Sequence, residues 1–190
     1  MPPRTLDQPA SFLSRLPARP IDYRLALAVA ATSALVFVIA VPFAKIQLPA
    51  VLGFIPTYQS ALATNDLITA VLLYAQFGLQ RSRALLWLAA GYLFTALMAI
   101  VHMLTFPGLF APEGLLGATA QSTAWLYMFW HGVFPLMAIG YALTKDRNGE
   151  APGAARPARH AVALNIAAAV AAVAILTVIA TAGSAALPPI

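Results

Sequence analysis

Residues 81–104, RSRALLWLAAGYLFTALMAIVHML, decide the fold. Two arginines, Arg81 and Arg83, precede 21 residues without a single Asp, Glu, Lys or Arg. At about 1.5 Å of rise per residue, such a run as a helix covers the roughly 30 Å hydrocarbon core of a bilayer. Four more runs of the same kind lie on either side of it. The expected spans are residues 25–43, 57–79, 84–104, 121–143 and 161–181.

Positive charge orders these spans. Arg4, Arg15, Arg19 and Arg24 precede the first, Arg81 and Arg83 separate the second from the third, and Lys145, Arg147, Arg156 and Arg159 separate the fourth from the fifth. Only Lys45 falls in a connection of the opposite parity. Cytoplasmic loops carry the Lys and Arg excess, so the N-terminus is expected in the cytoplasm and, after five crossings, the C-terminus outside. Residues 1–23, rich in Pro, Arg and Ser, read as a cytoplasmic segment, and residues 24–190 as one membrane domain. Leu187-Pro188-Pro189-Ile190 resembles the start of another connection, so the domain is expected to be incomplete at its C-terminus. The expected fold is an all-α integral membrane protein, a bundle of five transmembrane helices.

Composition excludes several function classes. The chain is 61% hydrophobic and 9% charged, where soluble domains carry about a quarter charged residues. Its net charge of +5 is accounted for by the loop arginines and lysines, so the lipid bilayer, and not nucleic acid, is the expected partner. Without cysteine there is no disulfide, thiol chemistry or Cys-ligated metal. No nucleophile with a neighbouring base, no Gly-rich phosphate loop and no i, i+4 metal pair is present, so no enzyme and no metal site are expected.

The polar residues inside the spans carry the remaining information. Asp66 is the one acid deep in an apolar run, where an unpaired charge costs about 2.5–3.5 kcal/mol, so it is expected to face the bundle. Gln59, Asp66 and Thr69 share a helical face, as do Gly91, Thr95 and His102. On the fourth span, Gln121, Ala124, Tyr127 or Met128, His131 and Pro135 form the corresponding stripe, and the three faces are expected to meet. Depth counting puts Asp66 and His131 about 13–15 Å into their spans and His102 about 3–4 Å from its outer end. An Asp66–His131 hydrogen bond is therefore expected, with His102 bordering an external vestibule beside Phe106-Pro107-Gly108. Such groups serve as glue between helices, as a ligand or ion pocket, or as a proton relay, and the sequence leaves all three open. Two histidines on adjacent helices are also the minimal haem ligand set. Their depth difference, on the order of 12 Å, argues against a shared iron, so no cofactor is expected.

The motifs Asn65-Asp66-Leu67-Ile68-Thr69-Ala70, Leu88-Ala89-Ala90-Gly91-Tyr92-Leu93-Phe94, His102-Met103-Leu104-Thr105-Phe106-Pro107-Gly108, Trp125-Leu126-Tyr127 and Trp130-His131 complete the picture. In this order they resemble the fourth class of membrane-associated sensor (MASE) domains, over about residues 20–190. These are N-terminal input modules of bacterial histidine kinases and diguanylate cyclases. The resemblance implies a sensory input domain of the bacterial inner membrane whose chain carries no output module. It would act through a cytoplasmic or membrane signalling partner, and as a homo-oligomer if it serves a kinase. Together with the polar faces, it nominates Gln59, Asp66, Thr95, His102, Trp125, Trp130 and His131 as signal-sensing residues. A haem-binding redox subunit or a fragment of a small transporter is the alternative.

Overall fold

The computed structural model describes residues 19–46, 51, 53–145 and 157–190. The cytoplasmic segment expected up to residue 18, the middle of the basic loop after Lys145 and part of the connection before Phe54 lie outside the described residues. The chain divides into two units, Met1–Ala50 and Val51–Ile190. The regular elements among the described residues are all helices, and they include five long and apolar enough to cross a membrane.

The first unit holds α1, Pro20–Ala40, continued by a 3-10 turn over Val41–Phe43. The helix starts ahead of the expected Leu25 because Pro20 occupies the first helical position, where its missing N–H is not needed. Asp22 then accepts the Arg19 backbone N–H at 2.8 Å. Every described residue of α1 is exposed.

The second unit contains α2 (Phe54–Gln80), α3 (Arg83–Thr105), α4 (Ser122–Thr144) and α5 (Ala158–Ala180). α2 begins three residues before the expected Thr57, because Pro56 falls in its first turn and displaces no intrahelical bond. Arg81, left-handed at φ 54°, closes α2, and only Ser82 separates it from α3. At the far end, Phe106 is extended ahead of Pro107, as a pre-proline residue must be to avoid the ring, and α3 stops there. The following loop folds back: Leu115 N–H donates to the Leu104 carbonyl at 2.8 Å, supplying one of the donors that a helix C-terminus lacks. Gly114, at φ +84°, sits where a Cβ would collide with the Thr105 carbonyl.

α3 packs against α2, α4 and α5, and more than half of its span is buried. The α2–α3 seam advances in steps of four and seven residues. Gln59, Ala63, Ala70 and Phe77 are buried on α2, and His102, Met98, Gly91 and Ala84 on α3 mirror them in reverse. Heptad spacing of this kind is the signature of shallow left-handed crossing, and a two-residue turn holds the antiparallel register. Between α3 and α4, small residues set the approach. A Cβ on Gly91 would lie 3.1 Å from Met137 Cβ, and one on Gly140 would lie 2.7 Å from the Trp87 ring. Trp87, expected in an aromatic belt, lies with its ring against Gly140. Ala169 of α5 packs with Ala70 and Leu93, consistent with the close approach its alanines predict.

The expected stripe on α4 requires correction. Its buried residues are Ser122, Leu126 and Trp130, while Tyr127, Met128, His131 and Pro135 are exposed. The true face is turned by one residue, about 100° around the axis. In lipid, apolar side chains are at home on either side of a helix, so polarity alone is a weak guide to which face turns inward.

Candidate functional site

The polar groups of α2 and α3 form two rungs across the mirrored seam, seven residues apart on each helix. In the first, Gln59 Nε2 lies 2.6 Å from His102 Nδ1. Both residues are deeply buried, Gln59 4% and His102 7% exposed. An amide nitrogen can only donate, so Nδ1 accepts and the imidazole proton resides on Nε2. Gln59 Oε1 is buried without a partner among the described residues. A spare acceptor in such a place is costly.

In the second rung the Thr95 hydroxyl lies 2.7 Å from Asp66 Oδ2 and 2.9 Å from the Tyr92 carbonyl. Asp66 is half-buried. The expected Asp66–His131 bond is therefore corrected: Asp66 meets Thr95, and His131 Nδ1 donates to the Tyr127 carbonyl of its own helix at 2.9 Å. Asp66 lies about 18 Å from the start of α2 and Thr95 about 15 Å from the end of α3, so these two are level as well. Depth permitted both pairings, and the facing of α4 decided between them.

Aromatic rings surround the first rung. The His102 ring centroid lies 6.0 Å from Phe106, 6.3 Å from Tyr127 and 6.0 Å from Trp130. Tyr127 stacks 3.9 Å from His131, and Trp130 lies 4.9 Å from it. Two rings, Tyr127 and Trp130, thus lie against both histidines. A porphyrin shared by the two imidazoles would have to displace them. Among the described residues, no three metal-ligating His, Asp or Glu side chains cluster.

Of the nominated residues, Gln59, His102 and Trp130 converge, with Thr95 and Asp66 one rung deeper and His131 behind Tyr127. Trp125 stands apart: it stacks on Phe129 at 5.5 Å and its Nε1 donates to the Pro188 carbonyl at 3.2 Å. Beside it Gln121 Oε1 accepts the Ile190 N–H at 3.0 Å, so the last residues cover the start of α4. Two polar pairs escaped sequence reasoning. Tyr74 donates to Asn165 Oδ1 at 2.7 Å, and Ser122 donates to the Ala180 carbonyl at 2.7 Å. A signal for the first was present, since Asn165 is the only polar residue from Ala161 to Leu176.

The Gln59–His102 rung and the Trp125 contacts lie towards the end of the unit formed by the α3–α4 loop, the Asp66–Thr95 rung lies midway, and Tyr74–Asn165 lies towards the other end. The opposite end carries the α2–α3 turn. No curated protein and no solved structure matches the chain. A family described as a membrane-associated sensor, integral membrane domain, matches residues 49–190, which takes in all of α2 to α5. The match leaves out α1, although the resemblance read from the sequence reached back to about residue 20. With a multi-pass helical unit carrying buried polar rungs and a match over three quarters of the chain, the chain belongs to the MASE4 family of membrane-associated sensors, input domains of signalling proteins.

Proposed function

We propose that the signal is received at the Gln59–His102 rung and passed along the α2–α3 seam to the cytoplasmic side. The observation that carries this reading is the buried, unpartnered Gln59 Oε1 beside an imidazole whose Nδ1 is already engaged. A ligand that donates a hydrogen bond to Oε1 gains an interaction that one packing of the helices offers and another does not, which is what shifts a two-state equilibrium. Asp66 and Thr95, on the same seam one heptad deeper, continue the path towards the Arg81–Arg83 turn. The reading makes the domain a receiver of signals and not a catalyst.

Orientation follows from charge. Among the described residues of this unit, Arg81, Arg83, Lys145 and Arg159 all lie at the turn end, and Glu113 at the loop end. This supports a cytoplasmic turn end and an external loop end in the bacterial inner membrane, with the C-terminus outside. A kinase or cyclase in a partner or in a longer chain would read the turn end, and kinase output would favour a homo-oligomer.

The test is a chimera in which this domain drives a histidine-kinase output. Gln59→Leu and Asp66→Asn are expected to shift or abolish the response, with membrane insertion and His102 burial unchanged. Couplings of this kind change apparent affinity by about 5–150-fold. A normal response in both variants would reduce the two rungs to glue between helices.

A further inference from the structure

We infer that His131 and Pro135 form a second binding position on the exposed side of α4, for a membrane-soluble head group that donates phenolic protons. Tyr127, half-exposed beside His131, supplies an aromatic edge against which its ring would pack.

The chemistry follows from one residue. His131 Nδ1 lies 2.9 Å from the Tyr127 carbonyl oxygen, which can only accept. Nδ1 therefore carries a proton, and in the corresponding neutral tautomer Nε2 keeps its lone pair as an acceptor. Four residues later Pro135 stands inside the helix. It has no N–H, so the His131 carbonyl loses its i+4 donor. Among the described residues, His131 thus presents two acceptors, its Nε2 and a carbonyl that lacks its i+4 donor. It does so about 14 Å into a span, on an exposed side chain. Beside it a Cβ on Gly132 would meet nothing within 4 Å, so the backbone can be approached closely.

Hydrocarbon contains no water to fill such vacancies. The complement of two acceptors is a donor, and one that reaches this face from the bilayer must itself dissolve there. Tyr127, 49% exposed and with its ring centroid 3.9 Å from that of His131, favours an aromatic ring over an aliphatic alcohol. A hydroquinone fits this description, and its oxidised quinone does not, because the quinone offers only carbonyl acceptors. The position adjoins the sensing cluster through Tyr127 and Trp130 but goes beyond it, since binding here is measurable without any signalling output.

The experiment uses the full chain in lipid nanodiscs with 15N-labelled histidine and three probes sharing one tail: decylhydroquinone, decylbenzoquinone and decylbenzene. Decylhydroquinone is expected to move the His131 Nε2 resonance from its bare, pyridine-like position in a saturable manner, and the other two probes to leave it in place. His131→Phe, which keeps a ring on Tyr127, is expected to weaken hydroquinone binding about tenfold, the value of one good hydrogen bond. Pro135→Ala restores the helix N–H and is expected to weaken binding less. An unchanged His102 resonance certifies the fold of each variant. Equal effects of all three probes, or undiminished binding to His131→Phe, overturn the inference. So does a His131 signal that follows the protein-to-lipid ratio instead of the hydroquinone, which would make this face a contact between copies. Any of these results leaves the chimera test of Gln59 and Asp66 unaffected.

Discussion

α1 and α3 are similar in length and both strongly apolar, yet α1 buries no residue while more than half of α3's span is buried. In a bilayer, apolar character tells that a helix spans and little about what it packs against, because lipid is as good a neighbour as leucine. The difference lies in where the polar groups stand. On α3, Thr95 and His102 lie seven residues apart and find Asp66 and Gln59 at the same spacing on α2. α1 offers Thr32 and Ser33 inside its apolar stretch, adjacent and so about 100° apart around the helix, and both are exposed. The family match draws the same line: it includes α3 and omits α1.

The sharpest way to break this comparison is to truncate one phenylalanine in each helix. Phe94 is fully buried and belongs to the main core cluster, whereas Phe37 is 68% exposed. Phe94→Ala is expected to destabilise the protein by about 3 kcal/mol through the cavity it leaves. Phe37→Ala is expected to stay within about 0.5 kcal/mol. Reversible unfolding in mixed micelles measures both, and equal effects would erase the contrast.

A smaller effect tests how α3 acquires its neighbours. A Cβ on Gly140 would stand 2.7 Å from the Trp87 ring, so Gly140→Ala is expected to cost about 1–3 kcal/mol by overpacking. Trp87→Leu in the same chain removes the obstacle and should recover most of the loss. Failure to recover would show that the α3–α4 approach is not set by this pair. Smaller again is Gln59→Leu, which deprives His102 Nδ1 of its donor but also removes the orphaned oxygen. These contributions oppose one another, and a net loss of about 1 kcal/mol is expected. A loss of function larger than this loss of stability separates sensing from glue.

The polar residues also show how much was legible beforehand. The spans could be read to within a few residues, because arginines, prolines and glycines punctuate them. The inward faces of α2 and α3 were readable from Gln59, Asp66, Gly91, Thr95 and His102, since a polar or small residue repeated at heptad spacing has a physical reason to face another helix. The same logic failed on α4. There Pro135 and His131 made a polar stripe that faces outward, and the true contact face is carried by Leu126 and Trp130, whose apolar character gives no direction. The partner of Asp66 was missed for the same reason. Equal depth was satisfied twice, and only the rotation of α4 chooses Thr95.

The smallest expected effect concerns α5, the helix most like α1 in composition and yet partly buried. Its one internal polar group in the alanine-rich stretch, Asn165, accepts from Tyr74 on α2 at 2.7 Å. If a lone polar residue is what ties an otherwise featureless helix to its neighbour, Tyr74→Phe and Asn165→Ala should be coupled. A double-mutant cycle is expected to give about 0.6 kcal/mol, the usual value for such bonds between membrane helices. The value is small because, in the separated state, each group finds another partner in the bilayer or its own backbone. A zero coupling for Tyr74 with Asn165 would assign the burial of α5 to its alanines alone, with Ala169 and Ala180 close-packed by shape. A value near the expected one makes Asn165 the feature by which α5 departs from α1.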